Sequence, residues 1–292
     1  MAKLFASTVF VAALLFGSAL AALAAEPKGS NKESNKASDK ALGSVVELET
    51  PLAGTPPLQG YLRRPEGVGP SPAVVLLHSC NGNWRRLDLR WGPSIASWGY
   101  VTLSVDSFET RGIKSACTST GPVDMTLDAY RALAFLVKQP FVDPARIAVV
   151  GFSQGGRIAL TSVERGIIEQ TAKNKFRAAV AFYPPCSPFK DDMTVPALIM
   201  VGELDDWTLA QECRKMVDGI DSYGIARQKG EGVPIKLIVY PGAFHAFDAP
   251  ALKTPKELLG HHLEYNQAAA DHSAIALREF LDATAGGKGE TK

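Results

Sequence analysis

Hydrophobic positions fall into short runs separated by longer stretches of helical period. The runs 73–78 (AVVLLH), 100–105 (YVTLSV), 146–151 (RIAVVG), 178–182, 197–201 and 235–240 are rich in Val, Ile and Leu. Most are apolar at successive positions, as strands covered on both faces must be. Between them, 125–138, 153–165, 208–223 and 265–283 carry helical spacing, the first ended by Pro140. Strand–helix alternation of this kind predicts a mostly parallel central sheet with helices on both faces. Two earlier runs, 45–49 and 58–63, alternate in polarity across a Pro/Gly-rich turn and predict an antiparallel hairpin at the N-terminal edge. The fold class is therefore α/β, in one domain over 44–285.

The ends of the chain break this pattern. Lys3 precedes an apolar run from 4 to 23, and Ala22-Leu23-Ala24 has the small-x-small form of a cleavage site. Residues 1–25 read as an export signal cut after Ala24 or Ala25, with an uncleaved anchor as the alternative. Residues 26–43 (EPKGSNKESNKASDKALG) are polar and repetitive and predict a disordered linker, and 286–292 a loose tail. The expected location is secreted or periplasmic, with no membrane partner after cleavage.

Composition narrows the partners. With 31 basic and 30 acidic residues, no broad basic field exists to attract nucleic acid. The four cysteines, Cys80, Cys117, Cys186 and Cys213, suit disulfides in an exported chain. Spacing alone does not choose among their three pairings. No CxxC pair suggests a metal site, and neither metal nor organic cofactor is expected.

Chemistry concentrates at strand ends. The run 146–159 carries Gly151-Phe152-Ser153-Gln154-Gly155, a G-x-S-x-G between a buried strand and a helix. That context makes Ser153 a candidate nucleophile on a tight turn. A serine hydroxyl needs a base, and the base an orienting carboxylate, in the chain order Ser, Asp or Glu, His. Among five histidines, His245 follows the last strand run and is the candidate base. Glu203, Asp205 and Asp206 follow the run 197–201; Asp205 is the first choice for the acid and Asp206 the runner-up. The oxyanion donors expected are the backbone amides of Gln154 and Cys80. His78 reads as a residue steadying the Cys80 loop. Trp84, Phe108, Trp207 and Phe247 are candidates for pocket lining or for core, and Trp207 is named for substrate contact.

These motifs together resemble the dienelactone hydrolase family. The resemblance runs through VVLLHSCNG (74–82), VDSFETRG (105–112), VVGFSQGG (149–156), FYPPCS (182–187), VGELDDWT (201–208) and YPGAFHAFD (240–248). It implies an α/β-hydrolase fold, a triad of Ser153, Asp205 and His245, and oxyanion amides at Cys80 and Gln154. It also implies disulfides Cys80–Cys117 and Cys186–Cys213, each pinning a loop beside the site. The family's best-known members use a cysteine nucleophile and hold a substrate carboxylate with arginines. Here the nucleophile position is serine, and the stretch after His245 reads Ala246-Phe247-Asp248-Ala249, which disfavours an anionic substrate. Arg111 is a candidate substrate contact, or else a structural partner of the Asp106 loop. The implied reaction is hydrolysis of a small-molecule ester or lactone. A peptidase or amidase using the same triad and a non-catalytic binding protein of the same fold are the rivals.

Overall fold

The computed structural model describes residues 43–49, 57–67, 69–118, 123–187, 192–220 and 232–286. The expected export signal, the linker apart from Gly43, the turn of the N-terminal hairpin and the tail beyond Gly286 lie outside the described residues. The sheet and every candidate site residue belong to one compact unit, Ala41–Lys292.

Eight strands make one sheet: β1 (Ser44–Leu48), β2 (Leu58–Arg63), β3 (Ser71–Leu77), β4 (Val101–Asp106), β5 (Val142–Phe152), β6 (Ala178–Phe182), β7 (Ala197–Gly202) and β8 (Ile235–Tyr240). Their order is β1-β2-β4-β3-β5-β6-β7-β8. The edge hairpin pairs Ser44 with Leu62 and Leu48 with Leu58, antiparallel, and β2 is antiparallel to β4. The remaining neighbours are parallel. Crossovers therefore place helices on the faces, and the central strands are sealed: Val74 to Leu77, Val149, Val150 and Ala178 to Phe182 have no exposed surface. The strand ends that bear the candidate chemistry, after β3, β5, β7 and β8, point the same way, which gathers their loops at one edge.

The helices are α1 (Trp84–Ser97), α2 (Met125–Val137), α3 (Gln154–Thr161), the short α4 (Ile167–Thr171), α5 (Ala210–Val217) and α6 (Gln267–Leu281). Asp124 caps α2 by accepting from the Thr126 and Leu127 amides, and Asn266 caps α6 through the Ala269 amide. Three expectations shift. Helix α1 has no counterpart in the reading of the sequence, because Gly92 and Pro93 interrupt it; Trp84, Leu87, Trp91 and Ile95 nonetheless recur at helical spacing and face the core. Helix α5 begins at Ala210 rather than 208, because Leu209 before it has an extended ψ of 126°. After β8 the chain forms a small separate hairpin, β9 (Lys256–Leu258) and β10 (His261–Leu263), where no strand was expected. No helix among the described residues is long and apolar enough to cross a membrane.

Candidate active site

Strand β5 delivers Ser153 to a bend that ordinary residues avoid. Ser153 has φ 53° and ψ −116°, and helix α3 begins at the next residue. The glycines around it are sterically required. A Cβ on Gly151 would lie 1.9 Å from the Gly155 carbonyl oxygen, and one on Gly155 would lie 2.3 Å from the Leu77 oxygen. The Ser153 amide is tied to the Phe182 carbonyl at the end of β6 (2.9 Å). The bend is thus held from both neighbouring strands, and the hydroxyl projects at the head of a helix.

His245 comes from the loop after β8, and Asp205 from the loop after β7. A Cβ on Gly202 would strike the Ala243 carbonyl oxygen at 2.2 Å, so glycine there lets the two loops pack. The Ser153 hydroxyl lies 3.1 Å from His245 Nε2, and His245 Nδ1 lies 2.8 Å from Asp205 Oδ2. A carboxylate only accepts, so the Nδ1 proton points to Asp205 and Nε2 is left bare toward Ser153. All three residues are buried. The other Asp205 oxygen accepts from the Trp207 and Thr208 amides at 3.0 and 2.8 Å. The Thr208 hydroxyl sits 2.8 Å from Oδ2 and 3.0 Å from the Tyr183 carbonyl. Asp206, the runner-up, faces elsewhere: both its oxygens accept from the His262 amide on β10 (3.2 and 3.3 Å).

The loop after β3 carries Cys80. A disulfide joins Cys80 to Cys117, and a second joins Cys186 to Cys213, the same pairs the resemblance implies. The Cys80 carbonyl accepts from the Ala116 amide at 2.7 Å. Behind it, His78 Nδ1 donates to the Ser79 carbonyl (2.8 Å), and Nε2 accepts from the Ser107 amide (3.2 Å). Burial pushes the His78 pKa down, against the raising effects of the Ser79 hydrogen bond, Asp106 and Asp128. A neutral ring fits both of its hydrogen bonds. Gln154 opens α3, so its amide is one of the first-turn donors that no helical carbonyl satisfies.

Two readings of charge are corrected. Arg111 is turned onto Asp128, with nitrogen–oxygen distances of 2.6 and 2.8 Å, and also donates to the Ser107 carbonyl. It does not line the cleft; it takes the structural alternative, holding the Asp106 loop through the Ser107 carbonyl, with Asp128 rather than Asp106 as its ion-pair partner, and Asp106 Oδ1 accepts from the Phe108 and Glu109 amides. Asp248 is buried. It accepts from Trp91 Nε1 and the Tyr183 hydroxyl, both at 2.8 Å, and lies 3.2 Å from Arg90 Nε. Its charge is spent inside the protein, so it gives no ground for disfavouring an anionic substrate. Burial next to Asp248 holds the Tyr183 hydroxyl protonated.

Ser153 and His245 open into a cleft of about 670 Å³, which Trp207 also lines. Trp207 lies between two imidazoles, tilted against His245 (centroids 5.2 Å) and stacked on His261 (4.9 Å). Of the other aromatic candidates, Phe247 belongs to the main core and Phe108 to a small cluster with Ala116 and Met125, while Trp84 donates to Glu109. Thr208, Tyr183 and the β9–β10 hairpin were missed. Thr208 had a usable signal, a hydroxyl three residues beyond an aspartate, as in side-chain-capped turns.

The sheet order, the serine bend at the β5–α3 junction and the Ser–His–Asp contact define an α/β-hydrolase. More narrowly, a sequence model of the dienelactone hydrolase family matches residues 58–285, and the chain belongs to that family. Among curated relatives, esterase FrsA of Klebsiella pneumoniae subsp. pneumoniae is 30% identical over 133 residues, 44% of this chain. That match spans only 31% of the esterase's own length. A solved structure described as a putative dienelactone hydrolase from the same organism aligns with a TM-score of 0.61 at 18% identity, covering 82% of this chain and 98% of that one. Esterase 2 of Thermogutta terrifontis, phosphoramylated by tabun, aligns equally well (TM-score 0.61, 16% identity, 82% and 94%). At these identities the solved structures share the fold.

Proposed function

We propose that the chain is a serine hydrolase of carboxylic esters or lactones acting through an acyl-enzyme. The observation that carries this reading is the continuous contact Ser153 Oγ–His245 Nε2–His245 Nδ1–Asp205 Oδ2, at 3.1 and 2.8 Å, under an open cleft. Ser153 Oγ attacks the acyl carbon while its proton passes to His245 Nε2. Asp205 holds the ring in the productive tautomer and stabilises the imidazolium. The tetrahedral oxyanion is taken by the Gln154 and Cys80 amides. Collapse returns the proton to the departing alkoxide, and water repeats the sequence to release the acid. The chemistry calls for no metal or organic cofactor.

Naming in the family and among relatives supports an ester substrate: FrsA and the Thermogutta protein are called esterases. The two disulfides suit an oxidising compartment and so support export. The test is hydrolysis of short-chain 4-nitrophenyl esters by the wild type and by Ser153→Ala. We expect turnover by the wild type and a loss of at least 10³-fold in kcat, the order seen when a triad member is removed. Turnover that survives the substitution overturns the reading. A 4-nitroanilide of the same acyl group, cleaved as fast as the ester, would instead favour an amidase.

A further inference from the structure

Resting on that reading, we propose that the β9–β10 hairpin is the specificity wall of the cleft, and that the ester carries an extended apolar group laid against it. Three observations point this way. The first is size. At about 670 Å³ the cleft falls in the range of roughly 300–1,000 Å³ that accepts whole drug-sized ligands, far more than an acetyl ester needs. The second is lining. Leu89 of α1, Leu252, and Leu258 and Leu263 of the hairpin all line it. Leu89 is 70% exposed and Leu258 39% exposed, although they come from unrelated elements. A single exposed leucine is ordinary, but two on the rim of one cleft with the reacting serine mark a surface for an apolar ligand.

The third observation is how the hairpin is hung. Leu263 makes a parallel bridge to His245 itself. The His262 amide donates to Asp206, the neighbour of the triad acid, and His261 stacks on Trp207, which in turn packs at a tilt against His245. His262 is held from both sides by Glu257 (3.0 Å) and Glu264 (2.9 Å) and packs on Phe244. The hairpin is thus tied to the acid loop and the base loop at once, so its apolar side chains stand at a set distance from Ser153. A mere surface excursion would not need these ties. Asp206 and His261 are on this account positioning residues of the wall.

The experiment is a series of 4-nitrophenyl esters from acetate to decanoate, each below its micellar concentration, with the wild type, Leu258→Asp and Leu89→Asp. In the wild type kcat/KM should climb two- to fourfold per added methylene up to a plateau, fourfold being full burial of a CH₂ at about 0.8 kcal/mol. The gain should appear mainly as a falling KM. Each aspartate variant should cut the octanoate-to-acetate ratio of kcat/KM at least tenfold, with the ratio normalising any loss of folded enzyme. An acetate optimum in the wild type overturns the proposal, as does a wild-type ratio in Leu258→Asp, whatever Leu89→Asp does, or a rise seen only with micellar substrate. Failure of the parent reading looks different: no acetate hydrolysis at all, or hydrolysis that persists in Ser153→Ala.

Discussion

Asp205 and Asp206 are adjacent and chemically identical, yet the fold gives them different work. Asp205 receives two backbone amides on one oxygen and the His245 ring on the other. Asp206 secures β10. Asp205→Asn should lower kcat on the order of 10³–10⁴-fold by disturbing the imidazole tautomer, whereas Asp206→Asn should change acetate turnover by less than tenfold; steady-state kinetics on the two variants decides it. Equal losses would contradict the division of roles. Gly155 shows the same exactness in packing. Because an added Cβ would enter the Leu77 and His78 carbonyls, Gly155→Ala should destabilise by about 3 kcal/mol or more, lowering the melting midpoint by roughly 6–12 °C. At this scale Ser153, His245 and Asp205 were legible, because each follows an apolar strand run and carries reactive chemistry. Thr208 and Tyr183 were not, since a hydroxyl that supports a carboxylate and a buried phenol on Asp248 show their role only when distant loops meet. For Arg111 the choice between a substrate contact and a structural role was not legible, because its partner Asp128 lies on α2 and nothing local announces the pair.

Among the elements, the loop after β3 depends on its neighbour. The Cys80–Cys117 disulfide and the hydrogen bond from the Ala116 amide grip Cys80 from its side chain and its carbonyl. Closing loops of 37 and 27 residues, the two disulfides should each add about 3–4 kcal/mol on the chain-entropy account. If the Cys80 amide serves the oxyanion, Cys117→Ser should lower kcat several-fold with a smaller change in KM, measured where the variant remains folded. A pure KM effect would speak against that role. The parallel strands were readable from their unbroken Val/Ile/Leu runs. Helix α1 was hidden by Gly92 and Pro93, although its core-facing residues keep the helical interval. The β9–β10 hairpin gave no periodic signal, because each strand has three residues and β9 is exposed throughout.

In the molecule as a whole, stability and site are coupled through the buried base of the β3 loop. His78 is held neutral by burial. On unfolding it regains its ordinary value of about 6.5 and takes up a proton below that pH. Its contribution is therefore complete above about pH 6.5 and declines as acid drives the medium toward the lower folded value. His262, raised by Glu264 and Glu257, works in the opposite sense. The variant difference isolates the first effect: His78→Gln should melt lower than the wild type at pH 8 and lose less midpoint between pH 7.5 and 5.5. Parallel pH profiles would refute it. The sheet order that unites these parts was only partly legible, since alternation implies parallel strands but does not specify which are neighbours.

The central claim is that Ser153 is made nucleophilic by His245. Intact-mass measurement after treatment with an organophosphorus fluoridate tests it most directly. A single phosphoryl adduct mapping to Ser153, absent from Ser153→Ala and slowed at least a hundredfold in His245→Ala, is the result expected. Labelling elsewhere, or at the same rate without His245, would contradict it.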